Sequence, residues 1–310
     1  MTTPLRLGTR GSALARAQAS DVADLVAKAT GRTVELVEIV TTGDRSSAPV
    51  AQLGVGVFVS ALRDALLAGE IDVAVHSYKD LPTAPADGLT IAAVPERADP
   101  RDALIARDGL PLAALPAGSR IGTGAPRRIA QLRALGYGLE CVPLRGNVDT
   151  RLRKVYDGEL DAVVLAAAGL HRLERGAEIT EALDPMLMLP APAQGALAVE
   201  CRSGDPLVEL LASVDHPATH AAVRAERALL AALEAGCSAP VGALAEVTEG
   251  STGTTEDQEI YLRGAVIAAD GSHAVRLSDT GTPSDAEAIG RRLAATLLEA
   301  GADSLLGSNE

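Results

Sequence analysis

Short apolar runs alternate with helix-length amphipathic stretches twice in succession over the first two thirds of this chain, which restricts that part to an α/β architecture. The first set is Leu5–Gly8 (strand), Ala13–Ala29 (helix), Val34–Thr41 (strand), Phe58–Leu67 (helix), then Val73–His76 and Thr90–Val94 (strands). After Ala98-Asp99-Pro100-Arg101 the second set is Ala103–Ala106, Arg120–Gly122, helical Ile129–Leu135, Glu140–Leu144, helical Val148–Asp157 and Ala162–Ala166. The apolar run Ala196–Cys201 follows the turn Pro192-Ala193-Gln194-Gly195 and is expected to return to the first unit as an added strand. From His216 the pattern changes to a helix over Ala218–Leu233, strands near Val241–Val247, Ile260–Ala268 and His273–Ser278, and a helix over Asp285–Ala300. A chain of 310 residues exceeds one hydrophobic core. The expected division is an α/β lobe from residues 1–96 with 196–214, a second α/β lobe from 97–195, and a smaller α+β domain from 215–310.

Charge and composition exclude several partners. A net charge of −13 and a pI near 4.9 disfavour nucleic acid and anionic membrane. Aromatic residues make up 2% with no Trp, so Ala, Val, Leu and Ile must fill the cores and nothing offers a stacking surface to bases. The start Met1-Thr2-Thr3-Pro4-Leu5-Arg6 lacks the apolar run of a signal peptide, and no stretch of about 18 apolar residues suggests a membrane span. A cytoplasmic location is the expectation. Cys141, Cys201 and Cys237 are widely spaced and odd in number, against a disulfide framework or a metal site.

Arginine recurs where inferred strands give way to helices: Thr9-Arg10-Gly11-Ser12, Thr123-Gly124-Ala125-Pro126-Arg127-Arg128 and Arg145-Gly146-Asn147. Since 25 of the 28 basic residues are arginine, most are expected to be solvated surface. These turns differ, because ligands of α/β sheets gather beyond the carboxyl ends of strands, where helix N-termini present free N–H groups. Ser12, Thr123 and Asn147 read as caps or near-caps, and Pro126 suits a first helical turn. Arg10, Arg127, Arg128 and Arg145 could then fork onto ligand carboxylates. Arg151, one turn into its helix, reads more simply as an exposed helix arginine, and Arg172 is open between the two roles.

The segment Val75-His76-Ser77-Tyr78-Lys79-Asp80-Leu81-Pro82 ends an apolar strand with ionisable residues, and Lys79 is one of three lysines. Asp80 could serve as acid, base or electrostatic partner of a developing cation, although spacing alone equally describes a solvated turn. His76 has no His or Cys at metal-ligand spacing and is expected to be packed or hydrogen-bonded. Cys237 lies in the Gly/Pro-rich Gly236-Cys237-Ser238-Ala239-Pro240, where nucleophilic catalysis is poorly supported because the preceding helix offers its negative end, and covalent attachment is compatible with the same residue. Cys141 and Cys201 read as inert core residues. Ser46–Gly56 reads equally as a mobile lid or an ordinary surface loop, and Ser251–Asp257 as a connecting loop.

Together these motifs resemble the porphobilinogen deaminase (hydroxymethylbilane synthase) family over nearly the whole chain. The resemblance rests on Arg6-Leu7-Gly8-Thr9-Arg10-Gly11-Ser12 with Ala17-Gln18-Ala19, on Val75–Pro82, on Arg145-Gly146-Asn147 with Thr150-Arg151-Leu152, on Ala193-Gln194-Gly195 and on Gly236-Cys237. It implies two lobes folded like periplasmic-binding proteins around a cleft, a third domain, and a monomer. It also implies a dipyrromethane cofactor held by a thioether on Cys237, onto which four porphobilinogens are joined head to tail with loss of ammonia before water releases the tetrapyrrole. Asp80 falls on the catalytic carboxylate. Ser12, Lys79, Thr123, Arg127, Arg128, Arg145 and Gly146 fall on cofactor-holding positions, and Arg10, Arg151, Arg172 and Gln194 on substrate-holding ones, with Arg97 a weaker match. Two positions depart from the common pattern: Val55 stands where a lysine is frequent, and Gly124-Ala125-Pro126 replaces the usual pair of serines. Without the resemblance, the lobes and arginines also fit a two-lobed carrier of a carboxylated ligand, and Cys237 a thiol hydrolase.

Overall fold

The computed structural model describes residues 3–39, 57–234, 239–248 and 258–306. The chain divides into two compact units, Met1–Ala98 with Ala196–His220, and Asp99–Gly195 with Ala221–Glu310.

In the first unit the chain runs β1 (Leu5–Thr9), α1 (Ala13–Thr30), β2 (Val34–Glu38), α2 (Val57–Leu67), β3 (Val73–Ser77), a single 3-10 turn over Tyr78–Asp80, and β4 (Leu89–Ala93). Helix α1 starts where the Ser12 hydroxyl accepts the Ala15 N–H, and stops at Gly31, whose φ of 67° is the left-handed conformation that glycine adopts without steric cost. The second unit opens with β5 (Asp102–Ala106), β6 (Arg120–Gly122), α3 (Pro126–Ala134), β7 (Glu140–Val142), α4 (Val148–Tyr156), β8 (Ala162–Ala166), α5 (Ala167–Arg172) and β9 (Glu181–Ala182). Strand β10 (Leu197–Arg202) then pairs antiparallel with β3 and β4 in the first sheet, as its apolar pattern led us to expect. After α6 (Leu207–Leu211) come α7 (Pro217–Ala232), β11 (Val241–Thr248), β12 (Glu259–Ile267), β13 (Ala274–Gly281) and α8 (Ala286–Glu299).

The two five-stranded sheets share one design. Their orders are β2-β1-β3-β10-β4 and β7-β6-β8-β5-β9. In each, three parallel strands are followed by a fourth antiparallel to the third and a fifth antiparallel to the fourth. Both faces of each sheet are covered, as parallel strands require. In the first, Leu7, Val22, Val26, Val75 and Val199 pack on one side and Leu62, Leu66, Ile71 and Ala74 on the other. In the second, Ile105, Leu152, Val163 and Leu165 fill one side, and Leu104, Ile121, Leu132 and Val164 the other.

The third sheet is the antiparallel meander β11-β12-β13, with Leu229, Leu262, Ile289, Leu293 and Leu297 in its core. It packs within the second unit through Ala130, Leu189, Leu244, Ala265 and Ile267. Glu226 of α7 is buried there and accepts the N–H groups of Ala193 (2.5 Å) and Ala245 (2.8 Å), so one carboxylate ties helix, strand and the Pro192–Gly195 turn. Ala193 holds a left-handed φ of 63° in that turn.

Candidate ligand site

In the first sheet β1 and β3 run parallel, Gly8 opposite Ala74. The Arg10–Ser12 and Tyr78–Asp80 turns therefore leave the same carboxyl edge, where α/β ligands gather. Ser12 spends its hydroxyl on the α1 cap at 3.2 Å. Arg10 and Lys79 are half-buried and Asp80 is exposed. The Gln18 amide donates to the Ser77 hydroxyl at 3.4 Å and steadies the end of β3. Beneath it, buried His76 places Nε2 2.9 Å from Glu200 Oε2, and Arg63 donates to Glu200 from Nη2 at 2.8 Å. Burial alone would raise the Glu200 carboxyl; the hydrogen bonds of His76 and Arg63 outweigh it and hold the group below its ordinary range. His76 is thus a packed, hydrogen-bonded residue.

The second sheet repeats the arrangement, with β6, β7 and β8 parallel and the Thr123–Arg128, Arg145–Asn147 and Ala167–Arg172 segments leaving their carboxyl ends. Asn147 caps α4 by accepting the Thr150 N–H at 2.8 Å. Thr123 does not cap α3. Its buried hydroxyl accepts the Ala125 N–H at 3.3 Å, while α3 begins at Pro126 behind Ala125, which offers no side-chain cap. The helix starts three residues before the apolar periodicity does because proline pre-sets its first turn.

Arg127 and Arg128 are not presented to solvent: they are 5% and 6% exposed and converge on Asp102, which is 0% exposed. Arg128 donates from Nε (3.0 Å) and Nη2 (2.7 Å) to Asp102 Oδ1 and from Nη1 to the Val164 carbonyl (2.9 Å). Arg127 Nη1 lies 2.7 Å from Asp102 Oδ2 and donates to the Leu189 carbonyl at 2.6 Å. Gln131 braces that carbonyl, donating to it at 3.0 Å and accepting the Leu189 N–H at 2.8 Å. Burial would raise the Asp102 carboxyl, but the two guanidiniums overcome it and hold the group far below the usual carboxylate range. Burial pushes Arg127 down, with the Asp102 charge opposing and the Arg128 charge adding.

Arg151 departs from the exposed helix arginine that its position suggests. It is half-buried, donates from Nε to the Gly146 carbonyl at 2.8 Å, and burial followed by the Arg128 charge pushes its pKa down. Two guanidiniums on one carboxylate leave one positive charge over, and Arg151 adds to it. Arg172 donates to the Gly195 carbonyl at 3.0 Å, and Arg145 and Gly146 are exposed.

Gln194 requires a correction. It is 0% exposed and donates to the Pro100 carbonyl (2.8 Å) and Asp102 Oδ1 (2.9 Å), so its amide acts on Asp102, because the turn folds it inward. Cys141 is only half-buried, since the three-residue strand carrying it lies at the sheet edge; Cys201 is fully buried. Sequence reasoning missed Asp102, Glu200 and Glu226; the available signal was an acidic residue inside or beside an apolar run. Cys237, Ser46–Gly56 with Val55, and Ser251–Asp257 lie outside the described residues.

The Gly124 departure has a local cause. A Cβ there would stand 2.7 Å from the Leu144 backbone carbonyl, so a serine does not fit without moving that strand end. Among the described residues no cluster of His, Cys, Asp and Glu suits a metal ion, and no helix is long and apolar enough to cross a membrane.

The repeated sheets define the class, an α/β protein of two similar lobes, the second of which carries a surplus of guanidinium charge at a helix N-terminus. The profile described as "Porphobilinogen deaminase, dipyromethane cofactor binding domain" matches residues 5–209, and that of the porphobilinogen deaminase C-terminal domain matches 220–299. The porphobilinogen deaminase of Nocardia farcinica is 64% identical over 98% of this chain and 88% of its own. That of Mycobacterium tuberculosis is 60% identical over 97% of this chain and 98% of its own. Among solved structures, a periplasmic substrate-binding protein of an ABC transporter from Coxiella burnetii aligns with a TM-score of 0.44 and 14% identity, over 70% of this chain and 94% of its own. The chain belongs to the porphobilinogen deaminase family.

Proposed function

We propose that this chain is the transferase that deaminates porphobilinogen and joins four molecules head to tail on a dipyrromethane cofactor, yielding hydroxymethylbilane for tetrapyrrole and haem synthesis. The observation that carries this reading is the convergence of Arg127 and Arg128 on a single carboxylate, Asp102, with Arg151 near enough to feel the Arg128 charge, in the lobe matched by the cofactor-domain profile. Every pyrrole ring of substrate and cofactor brings an acetate and a propionate, so the growing chain is a polyanion. Arginine suits it, being permanently charged and bidentate.

The cofactor fits the residues present. Arg127 and Arg128 with their uncompensated charge, the Thr123 hydroxyl, Arg145 and the Gly146 backbone would hold its acid groups, joined by Ser12 and Lys79, with Cys237 as the thioether anchor. When bound, it supplies the electron-rich pyrrole carbon to which substrate is joined. Asp80, exposed at the end of β3, stabilises the positive charge left on the substrate ring when ammonia departs, and moves protons at the pyrrole N–H. Arg10, Arg151 and Arg172 hold substrate acids. The three-domain division, a monomeric state and a cytoplasmic location belong to the same proposal, the division being supported by the three sheets.

Intact-protein mass spectrometry under denaturing conditions tests the reading. The expected mass carries a two-pyrrole increment that disappears in Cys237→Ser. A bare, fully active protein would overturn it, and an inactive bare thiol is what a non-catalytic carboxylate carrier predicts.

A further inference from the structure

We propose that Asp102 is a positioning residue: it holds Arg127 and Arg128 as a preformed pair and, by cancelling one of their two charges, sets the pair to take one ligand carboxylate. The inference rests on the cofactor-holding role proposed for these arginines. Its basis is geometric. Asp102, at the first position of β5, accepts both Nε and Nη2 of Arg128 and the amide of Gln194, and its other oxygen lies 2.7 Å from Arg127 Nη1 as an ion pair, all in a region closed to solvent. Its two oxygens are divided, Oδ1 toward Arg128 and Gln194, Oδ2 toward Arg127, so each guanidinium is aimed by a different atom of one carboxylate. The remaining bonds, to the carbonyls of Val164 and Leu189, carry no charge. Without Asp102, two buried like charges would face each other with only neutral acceptors, an arrangement that costs far more than the loss of one hydrogen bond.

Asp102 and a ligand carboxylate therefore do the same electrostatic work on one pair of cations. The protein needs Asp102 most before the ligand arrives. A residue that merely braces the fold would be needed equally in both states, and this difference makes the role measurable.

The experiment compares Asp102→Asn in two backgrounds by thermal unfolding: Cys237→Ser, which cannot retain the cofactor, and native Cys237 with the two-pyrrole increment verified by intact mass. Asp102→Asn is expected to lower Tm by at least about 6 °C in the cofactor-free background, and by less than about half of that when the cofactor is bound, because ligand carboxylates replace the lost charge. Gln194→Ala, which alters no charge, should cost the same in both backgrounds. Equal losses for Asp102→Asn in the two backgrounds, or failure of Asp102→Asn to take up the increment, would overturn the inference.

If Asp102→Asn alone does not fold, the double variant Asp102→Asn/Arg127→Gln restores a surplus of one charge and is expected to fold; failure of both also counts against the idea. Failure of the functional reading is separate, since it shows as a missing increment in the parent protein, while the Asp102→Asn loss in the Cys237→Ser background is read without cofactor.

Discussion

Serine at position 124 should harm this protein, although the related family commonly places serines there. The ideal Cβ of residue 124 would lie 2.7 Å from the Leu144 carbonyl oxygen, a backbone atom, where contacts below 3.0 Å force something to move. Leu144 cannot retreat freely, because it is buried against Leu152, Val163 and Leu165. A shift would also pass through Arg145 to Gly146, whose carbonyl holds Arg151 Nε at 2.8 Å. Overpacking of this kind costs about 1–3 kcal/mol, or a fall in Tm of about 2–12 °C for a unit of this size. Position 125 provides the contrast. Ala125 is the N-cap of α3, extended at φ −96° and ψ 116°, with no side chain able to accept a helix N–H. Ala125→Ser should therefore stabilise by about 0.5–2 kcal/mol. Urea unfolding followed by circular dichroism resolves both signs. A Gly124→Ser protein as stable as its parent would refute the packing argument and with it the account of why this chain carries glycine at 124, and an Ala125→Ser protein without gain would refute the capping argument.

Asp80→Asn should leave porphobilinogen binding nearly unchanged while kcat falls by at least about 100-fold, the scale of a lost general acid–base or charge-stabilising group; single-turnover kinetics separate the two, and near-normal turnover would remove Asp80 from the mechanism. Burial pushes the Cys201 thiol up to about 11, helped by the negative charge of Asp205. A folded-state pKa raised above its unfolded value gives a contribution that is full below the ordinary thiol range and is lost as pH rises toward 11, amounting to about 2–3 kcal/mol over that window. Cys201→Val lacks that slope, so its stability relative to the parent should improve between pH 9 and 11, and parallel denaturation curves would contradict the assignment.

The fold was largely legible because both signals behind it are local. Alternation of short apolar runs with helical periodicity located the parallel strands within three residues at either end, and the return of Leu197–Arg202 to the first sheet followed from an apolar strand left over after the second lobe. Ser12 and Asn147 were readable as caps because capping acts over three residues. The interior of the candidate site was not legible. Asp102 meets Arg128 across 26 residues and Gln194 across 92, and nothing local marks it as buried beyond its place at the head of an apolar strand. The same holds for Glu200, which finds Arg63 137 residues away. Arg151 misled for the opposite reason. Its helix position is amphipathic and ordinary, and what holds its side chain is the Gly146 carbonyl of the preceding turn.

The arginines of the second lobe also explain why lysine does not serve there. Burial pushes both Arg127 and Arg151 downward from the ordinary guanidinium range, and the Arg128 charge pushes further in the same direction. A guanidinium keeps its charge under that pressure at neutral pH. An ammonium starts near 10.4, and a fully buried one can fall by up to 3–5 units, into the range where it gives up its proton and with it the carboxylate attraction. Lysine can work only where solvent reaches, as at half-buried Lys79 beyond the end of β3. A site that buries its cations before any ligand arrives must therefore be built from arginine, and must carry an internal carboxylate to make that burial tolerable. Arg127, Arg128 and Asp102 meet both conditions, with Asp102 neutralising part of the charge and the remainder available to the acid groups of the proposed ligand.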